Sequence, residues 1–485
     1  MYYSQSNSGN KDSLFGSVDR VALLLYLLLV AIGVASVFSA SWVEGDENIL
    51  SFSHNYIKQI VWLGISLFMG VVIMLLDRSL WHKIAYFTYA AAILALVVTL
   101  LFGREVNGAK AWFEFGSFRL QTMEFAKIAI ALAVARRMSE YDFSISSGKC
   151  LVKIAMLLVV PLAIAYLQND TGSGLVLCSF IFMLYREGLN KWLCIPIIFI
   201  AALFLLSFLY SPTVLLIALI LVFTISASLA NNIWMHGIMY LAALFGLSIL
   251  LYLMVNAIFT YSVSYYAVLL TVTVLSMVGI CFYAFRARLR SIYIMVMLFL
   301  VSVFITPTSN ALFNIMRPHQ QNRIMTFLGI TNDLSLNYNV NQSKTAIGSG
   351  GWFGQGYLQG SHIRYGLVPE KHTDFIFCTI GEEFGFFGSL VVLAILLLFI
   401  FRLMRMGDNQ RETFGRVYCY AVASILLFHT LVNVGMTIGL VPVMGIPLPL
   451  ISYGGSSLLA FSMMIFIAFA FDAQTSREVP GGAGF

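Results

Sequence analysis

A handful of ionisable side chains in this sequence have the spacing to do chemistry. Asp333 stands in RIMTFLGITNDLSLNYNVNQSK, a polar stretch between long apolar runs. A carboxylate there suits a general base or a ligand to a divalent cation, and it equally suits an Asx turn after Asn332. Glu124 and Lys127 sit three residues apart, so a helix puts them on one face. Ionisable groups within a span point to function, although an ion pair near lipid headgroups has the same pattern. Lys110 and Arg119 flank that helix and could meet a phosphate or snorkel to headgroups. Asp170 precedes Thr171-Gly172-Ser173-Gly174, which fits a helix N-cap or a carboxylate beside closely approaching backbone. His372, Asp374, Glu382 and Glu383 bracket the short apolar stretch FIFCTIG. They read either as metal ligands or as a capping Asp374 with a buried, hydrogen-bonded Glu382.

Other chemistries are excluded. The glycine run IGSGGWFGQG lacks the Lys-Ser/Thr ending of a nucleotide loop. No HExxH, GxSxG or zinc-ligand spacing occurs, and the six cysteines form no CxxC pair.

The elements that must carry these groups are membrane helices. Of 485 residues, 60% are hydrophobic and 10% charged, with a mean hydropathy of +0.88. Soluble domains carry roughly 25% charge. Apolar runs of this length are helical spans, whereas a barrel strand would alternate. The runs predict an all-α polytopic bundle of about fourteen spans: 20–42, 56–77, 82–102, 120–138, 150–167, 172–187, 191–209, 212–231, 234–257, 262–285, 290–307, 383–402, 416–436 and 456–472. The net charge of +6 then belongs to membrane orientation and not to nucleic acid. Lys and Arg gather in the even-numbered connections, which places those connections and the N-terminus in the cytosol. The 308–382 loop and the 43–55, 103–119 and 437–455 segments then face outward. Residues 1–18 and 476–485 read as cytosolic tails around one transmembrane domain, 19–475. In TIGLVPVMGIPLPLISYGG, Pro442, Pro447 and Pro449 forbid a regular helix, yet the segment is apolar. Such backbone at a membrane edge must be buried in protein or line a cavity, so 437–455 is expected to dip in and roof a pocket.

Three blocks carry a family resemblance: NQSKTAIGSGGWFGQGYLQGSH, LVPEKHTDFIFCTIGEEFGFFGS and GIPLPLISYGGSSLL. With FSAS (38–41), NGAKAW (107–112), QTMEFAK (121–127) and QNDTGSG (168–174), they resemble the SEDS family of RodA, FtsW and SpoVE proteins. The QSK and GQGYLQGSH forms stand nearer to the RodA branch.

The resemblance implies a peptidoglycan glycosyltransferase. Such an enzyme polymerises lipid II on the outer face of the bacterial inner membrane, in cell elongation. It implies a ten-helix core, with about four extra helices at 190–307. It maps the catalytic base onto Asp333 and its supporting pair onto Glu124 and Lys127. Lys110, Trp112, Gln342, Ser343, Lys344, His372, Asp374 and Ser452 follow as substrate contacts. A divalent cation, Mg or Mn, suits the leaving diphosphate. A class B penicillin-binding protein and other elongation-complex membrane proteins are the implied partners. A lipid II flippase and a non-catalytic wall-synthesis scaffold are the alternatives. The chain departs from the family pattern at Asp333-Leu334 (Asp-Pro in the family), Ala111-Trp112 (Arg-Trp) and Asn169-Asp170 (Pro-Asp).

Overall fold

The structure is a computed structural model. It describes residues 18–42, 54–106, 108–115, 118–190, 206–258, 263–286, 318–330 and 334–477, with 199, 203, 296, 299–300, 303, 313–314 and 316 singly between them. The chain forms two compact units, one of Met1–Leu189 with Asn332–Phe485 and one of Asn190–Thr331.

Ten described helices are long and apolar enough to cross a membrane. In the first unit they are α1 (Arg20–Ser41), α2 (Asn55–Leu75), α3 (Arg78–Phe102) and α5 (Gly148–Leu167), then α14 (Ile376–Asn409), α15 (Thr413–Thr437) and α16 (Gly455–Arg477, apolar to Gln474). In the second unit they are α8 (Pro212–Asn231), α9 (Trp234–Ile258) and α10 (Tyr265–Arg286). The expected count of fourteen is not reached among the described residues. The expected 120–138 span is the 17-residue helix α4 (Thr122–Met138). The expected 172–187 span is broken into α6 (Thr171–Leu175), a 3-10 turn (Val176–Ser179) and α7 (Phe180–Arg186). The expected 191–209 and 290–307 spans lie largely outside the described residues.

Local chemistry sets the helix ends. Asp19 Oδ1 caps α1 by accepting from Val21 N at 2.9 Å and Ala22 N at 3.1 Å. Pro212, at the first position of α8, needs no hydrogen-bond acceptor, and Asn232 ends that helix at φ 55°. In the first unit, α15 and α16 are the axis. Their apolar windows are 78% and 89% buried, against 17% for α3 and 22% for α5. Only helices surrounded by other helices can afford the polar side chains that α15 carries.

One element departs from the all-helical reading. Arg104–Val106, Ala109–Phe115 and Phe118–Gln121 form an antiparallel three-stranded sheet, β1 to β3. Its β2–β3 register places Trp112 opposite Gln121 and Glu114 opposite Arg119. Gly108, at φ +81°, makes the first turn, which a side chain would oppose.

Among its described residues, the long polar interruption is partly helical. Its first part, α11 (Pro318–Phe327), belongs to the second unit. In the first unit, α12 (Leu334–Ser349) and the short α13 (Ser361–Arg364) follow, and α14 begins seven residues before the expected span. Gly385 breaks α14 with φ 64°. The break exposes carbonyls and N–H groups that the glycine run then satisfies. Gln355 N donates to Glu382 O at 2.9 Å and Gly356 N to Glu383 O at 3.0 Å, while Phe386 N donates to Gly351 O at 2.9 Å. Gly354, at φ +83°, lies so close that a methyl there would overlap the Glu383 carbonyl. The glycines thus serve backbone-to-backbone packing, consistent with the exclusion of a nucleotide loop.

Candidate functional site

The sequence blocks converge on the Pro-rich segment between α15 and α16. Ile446, Leu448, Leu450 and Ile451 are buried, as irregular apolar backbone in a membrane protein must be. Leu450 takes φ 64°, uncommon for a branched residue, and its carbonyl packs against Gly33 of α1. At Gly172 of α6 any side chain would overlap the Met444 carbonyl.

Two α15 side chains one turn apart hold this segment. His429 Nδ1 lies 3.1 Å from Pro447 O. Asn433 Nδ2 donates to both Ile446 O and Asp374 O at 2.8 Å. At the next turn, the Thr437 carbonyl accepts from Ser343 Oγ at 3.0 Å. Ser452 Oγ accepts from Leu448 N at 2.8 Å and donates to Thr373 O at 2.7 Å. Tyr453 N donates to His372 O at 2.8 Å, and the two rings lie 5.7 Å apart. Asp374 Oδ2 packs close to Gly445. Lys344 is exposed, and its stem rests on Gly439. Gln342 lies one residue before Ser343 on α12 and is half-buried.

The charged centre is beside these α15 side chains. Lys127 Nζ donates to Glu124 Oε1 at 2.8 Å and lies 2.9 Å from His429 Nε2. It sits 5.1 Å from the centroid of the Phe461 ring, a cation–π contact from α16. Glu124, Lys127 and His429 are all at most 1% exposed. Glu124 Oε2 meets no hydrogen-bond partner among the described residues. A buried pair of this kind tolerates its desolvation only with good geometry, and a free carboxylate oxygen marks capacity for a further donor.

The remaining predicted residues fall around this centre or apart from it. Asp333, the residue before α12, lies outside the described residues. Lys110 and Trp112 are on β2. Lys110 Nζ donates to Leu101 O at 3.0 Å, and its N–H to Gln168 O at 2.8 Å. Arg119 pairs with Glu114 at 2.8 Å. Asp170 caps α6, accepting from Ser173 N at 3.3 Å and from Gln121 Nε2 at 2.6 Å. Glu382 and Glu383 are buried at the α14 break. Glu382 accepts from His362 N at 2.8 Å and Ile363 N at 3.0 Å, and Glu383 from Leu358 N at 3.0 Å and from Ser39. Among the described residues no group of three or more His, Cys, Asp or Glu could hold a metal ion.

An open cavity of about 390 Å³ lies between the ends of α1 and α2 and the segment after α13. Its described lining includes His54, Arg364, Lys371 and His372 and no carboxylate. Burial pushes the His372 imidazole below its ordinary range, so it is neutral near pH 7. Burial likewise lowers Lys371, whose ammonium donates to the Ile363 carbonyl.

Sequence reasoning missed His429 and Asn433. Both were visible as polar residues four apart within an apolar span, where every such residue needs a reason. What the sequence could not give was their partner, a segment up to 18 residues further along the chain.

The chain is similar to known proteins over most of its length. The chain is 33% identical over 451 residues to the peptidoglycan glycosyltransferase RodA of Treponema pallidum, covering 91% of this chain and 94% of that one. It is 30% identical over 482 residues to the peptidoglycan glycosyltransferase MrdB of Escherichia coli K12, covering 98% of each. Its backbone matches a chain of a peptidoglycan synthase complex that coordinates polymerization and crosslinking. That match has a TM-score of 0.59 and 22% identity, over 94% of this chain and 98% of the other, and it speaks to the fold. The cell cycle protein model of FtsW, RodA and SpoVE matches residues 19–224 and 216–477, which takes in every element of the site. With that coverage and those identities, this multi-pass helical membrane protein belongs to the FtsW/RodA/SpoVE family.

Proposed function

We infer that this chain is a peptidoglycan glycosyltransferase that polymerises lipid II into glycan strands on the extracytoplasmic face of the bacterial inner membrane. The observation that carries this reading is the identity of 30–33%, over nearly the whole chain, to two relatives bearing that activity in their names. The geometry is compatible with it. The donor is a sugar on a polyprenyl diphosphate, whose tail needs apolar helix faces and whose anionic head needs cations.

Diphosphate is a good leaving group, so the protein must orient an acceptor hydroxyl, take its proton and balance the departing charge. Asp333 is the proposed base. Lys127 supplies a buried positive charge, and Glu124 holds it in place through their 2.8 Å ion pair. In-line attack inverts the anomeric centre. The basic cavity at Arg364 and Lys371 suits an anionic head at the rim of the bundle. A divalent cation, Mg or Mn, would draw its oxygens largely from the diphosphate, with one or two carboxylates from the protein. A class B penicillin-binding protein is the proposed partner, cross-linking the strands.

The test is the full chain, purified with its transpeptidase partner and given lipid II. Glycan polymer is expected from the wild type, with a loss of at least about 100-fold in Asp333→Ala, the scale of removing a general base. Normal polymer from Asp333→Ala would reject the base. Wild-type protein that makes no glycan but moves lipid II across vesicles would reject the enzyme in favour of a flippase.

A further inference from the structure

His429 is not explained by the ion pair it touches. A buried Glu–Lys pair needs no imidazole to exist. Yet this ring is fixed on three sides. Its Nε2 is 2.9 Å from Lys127 Nζ, its Nδ1 is 3.1 Å from Pro447 O, and its ring stands perpendicular to the Phe461 ring with centroids 4.9 Å apart.

The chemistry of the partners decides which nitrogen holds the proton. A lysine ammonium donates and cannot accept, so Nε2 accepts. A carbonyl accepts and cannot donate, so Nδ1 carries the hydrogen and donates to Pro447. The ring is thus a neutral Nδ1–H imidazole with both nitrogens used. It connects the Lys127 ammonium, on α4, to the backbone of the Pro-rich segment.

We propose that His429 is a positioning residue for Lys127, holding the ammonium in register with the Pro-rich segment that Asn433 and the residues Thr373 and Gly172 also contact. This rests on the proposed role of Lys127 in balancing the leaving diphosphate. Without Nε2, the ammonium loses one of its two hydrogen-bonding neighbours, and Glu124 alone permits it to pivot. Without Nδ1–H, the Pro447 carbonyl loses its donor, but the ammonium keeps its place.

Two substitutions separate the halves of the ring. In His429→Gln the amide oxygen reaches the place of Nε2 and can accept from Lys127. In His429→Asn the amide nitrogen reaches the place of Nδ1 and can donate to Pro447, but nothing reaches Lys127. With the full chain, its transpeptidase partner and lipid II, His429→Gln should keep kcat within about threefold. His429→Asn and His429→Leu should lose about tenfold or more in kcat, with KM changed less than about threefold, because the effect is on the transition state. Adding His429→Leu to Lys127→Arg should cost less than His429→Leu costs alone, since the two act through one group. An Asn variant equal to wild type, a Gln variant as poor as Leu, or additive losses would overturn the proposal.

A second measurement needs no turnover. Nitrogen-15 NMR of histidine-labelled wild-type protein in nanodiscs, with the His429 signals assigned by their loss in His429→Gln, should show the Nδ1–H neutral tautomer. An Nε2–H tautomer would overturn the geometry even if the chain made no glycan. A wild type that shows Nδ1–H yet makes no polymer would instead count against the proposed function.

Discussion

Glu124 and Glu382 are both buried carboxylates of the same structural unit, and they are partnered in different currencies. Glu382 gives its oxygens to the chain itself. Oε1 accepts from His362 N, at 2.8 Å, and faces the His362 ring and the Ser349 and Ser361 hydroxyls. Oε2 accepts from Ile363 N at 3.0 Å. Glu124 gives one oxygen to another side chain, the Lys127 ammonium, and its other oxygen has no partner among the described residues. A carboxylate whose acceptor sites are filled by backbone N–H groups is holding a loop. A carboxylate that holds a cation and keeps a free oxygen is holding a charge ready for something else.

The largest effect that can break this distinction is at Glu382. Glu382→Ala would strand the N–H groups of His362 and Ile363 in α13, the second of them buried, and leave a void under the glycine run. The expected loss is about 3–5 kcal/mol, the scale for breaking a buried charged network. It should appear as a lowered Tm of the detergent-solubilised protein and as new proteolytic cleavage between Gly350 and Arg364. If Glu382→Ala instead kept its Tm and lost only polymer, the carboxylate would be part of the chemistry and the distinction would fall.

The complementary test replaces the other cluster. In Glu124→Leu/Lys127→Met both charges go together, so neither is left buried alone. Swaps of this kind are often neutral or stabilising by about 1–4 kcal/mol. The expected outcome is a Tm equal to or above wild type, with glycan polymerisation down by about 100-fold, the scale of lost preorganised charge. Each single substitution should be less stable than the double, because it leaves one charge unpaired. A double variant that retained polymerase activity would make Glu124 and Lys127 a structural pair like any other.

How much of this was legible in the sequence depends on what kind of signal each feature leaves. The spans of α1, α2, α3 and α5 were readable, because a run of apolar residues needs no partner to declare itself. The pairing of Glu124 with Lys127 was readable too, because three residues is a helical neighbour distance. The irregularity of the Pro-rich segment followed from Pro442, Pro447 and Pro449 alone. What was not readable were contacts between distant elements. Nothing in HTLVN says that His429 meets Lys127, 302 residues earlier, or that Asn433 meets Asp374. The sheet at 104–121 was hidden for another reason. Its strands are short, and the family pattern drew attention to Lys110 and Trp112 as contacts and away from the alternation that pairs them. For the glycine run, the missing Lys-Ser/Thr ending was enough to exclude a nucleotide loop, but its use was not readable, because the close approach at Gly354 is to the protein's own broken helix.

The finest use of the comparison is Ser343. It belongs to a block that the family resemblance marks for substrate contact, yet its hydroxyl is fully buried and donates to the Thr437 carbonyl at 3.0 Å. By the criterion that separates Glu382 from Glu124, a polar atom given to the backbone is scaffold. Ser343→Ala should therefore cost about 1 kcal/mol, one neutral hydrogen bond, and lower Tm slightly. The KM for lipid II should stay within about twofold, because no substrate atom would lose a partner. Its exposed neighbour Lys344 provides the contrast within one block. Removing that ammonium, as Lys344→Met, should leave Tm unchanged and move KM if the block contacts an anionic head at all. Should Ser343→Ala raise KM tenfold at unchanged Tm, the hydroxyl must turn from Thr437 to the substrate during catalysis. Backbone partnership in the resting structure would then no longer be a sufficient sign of scaffold.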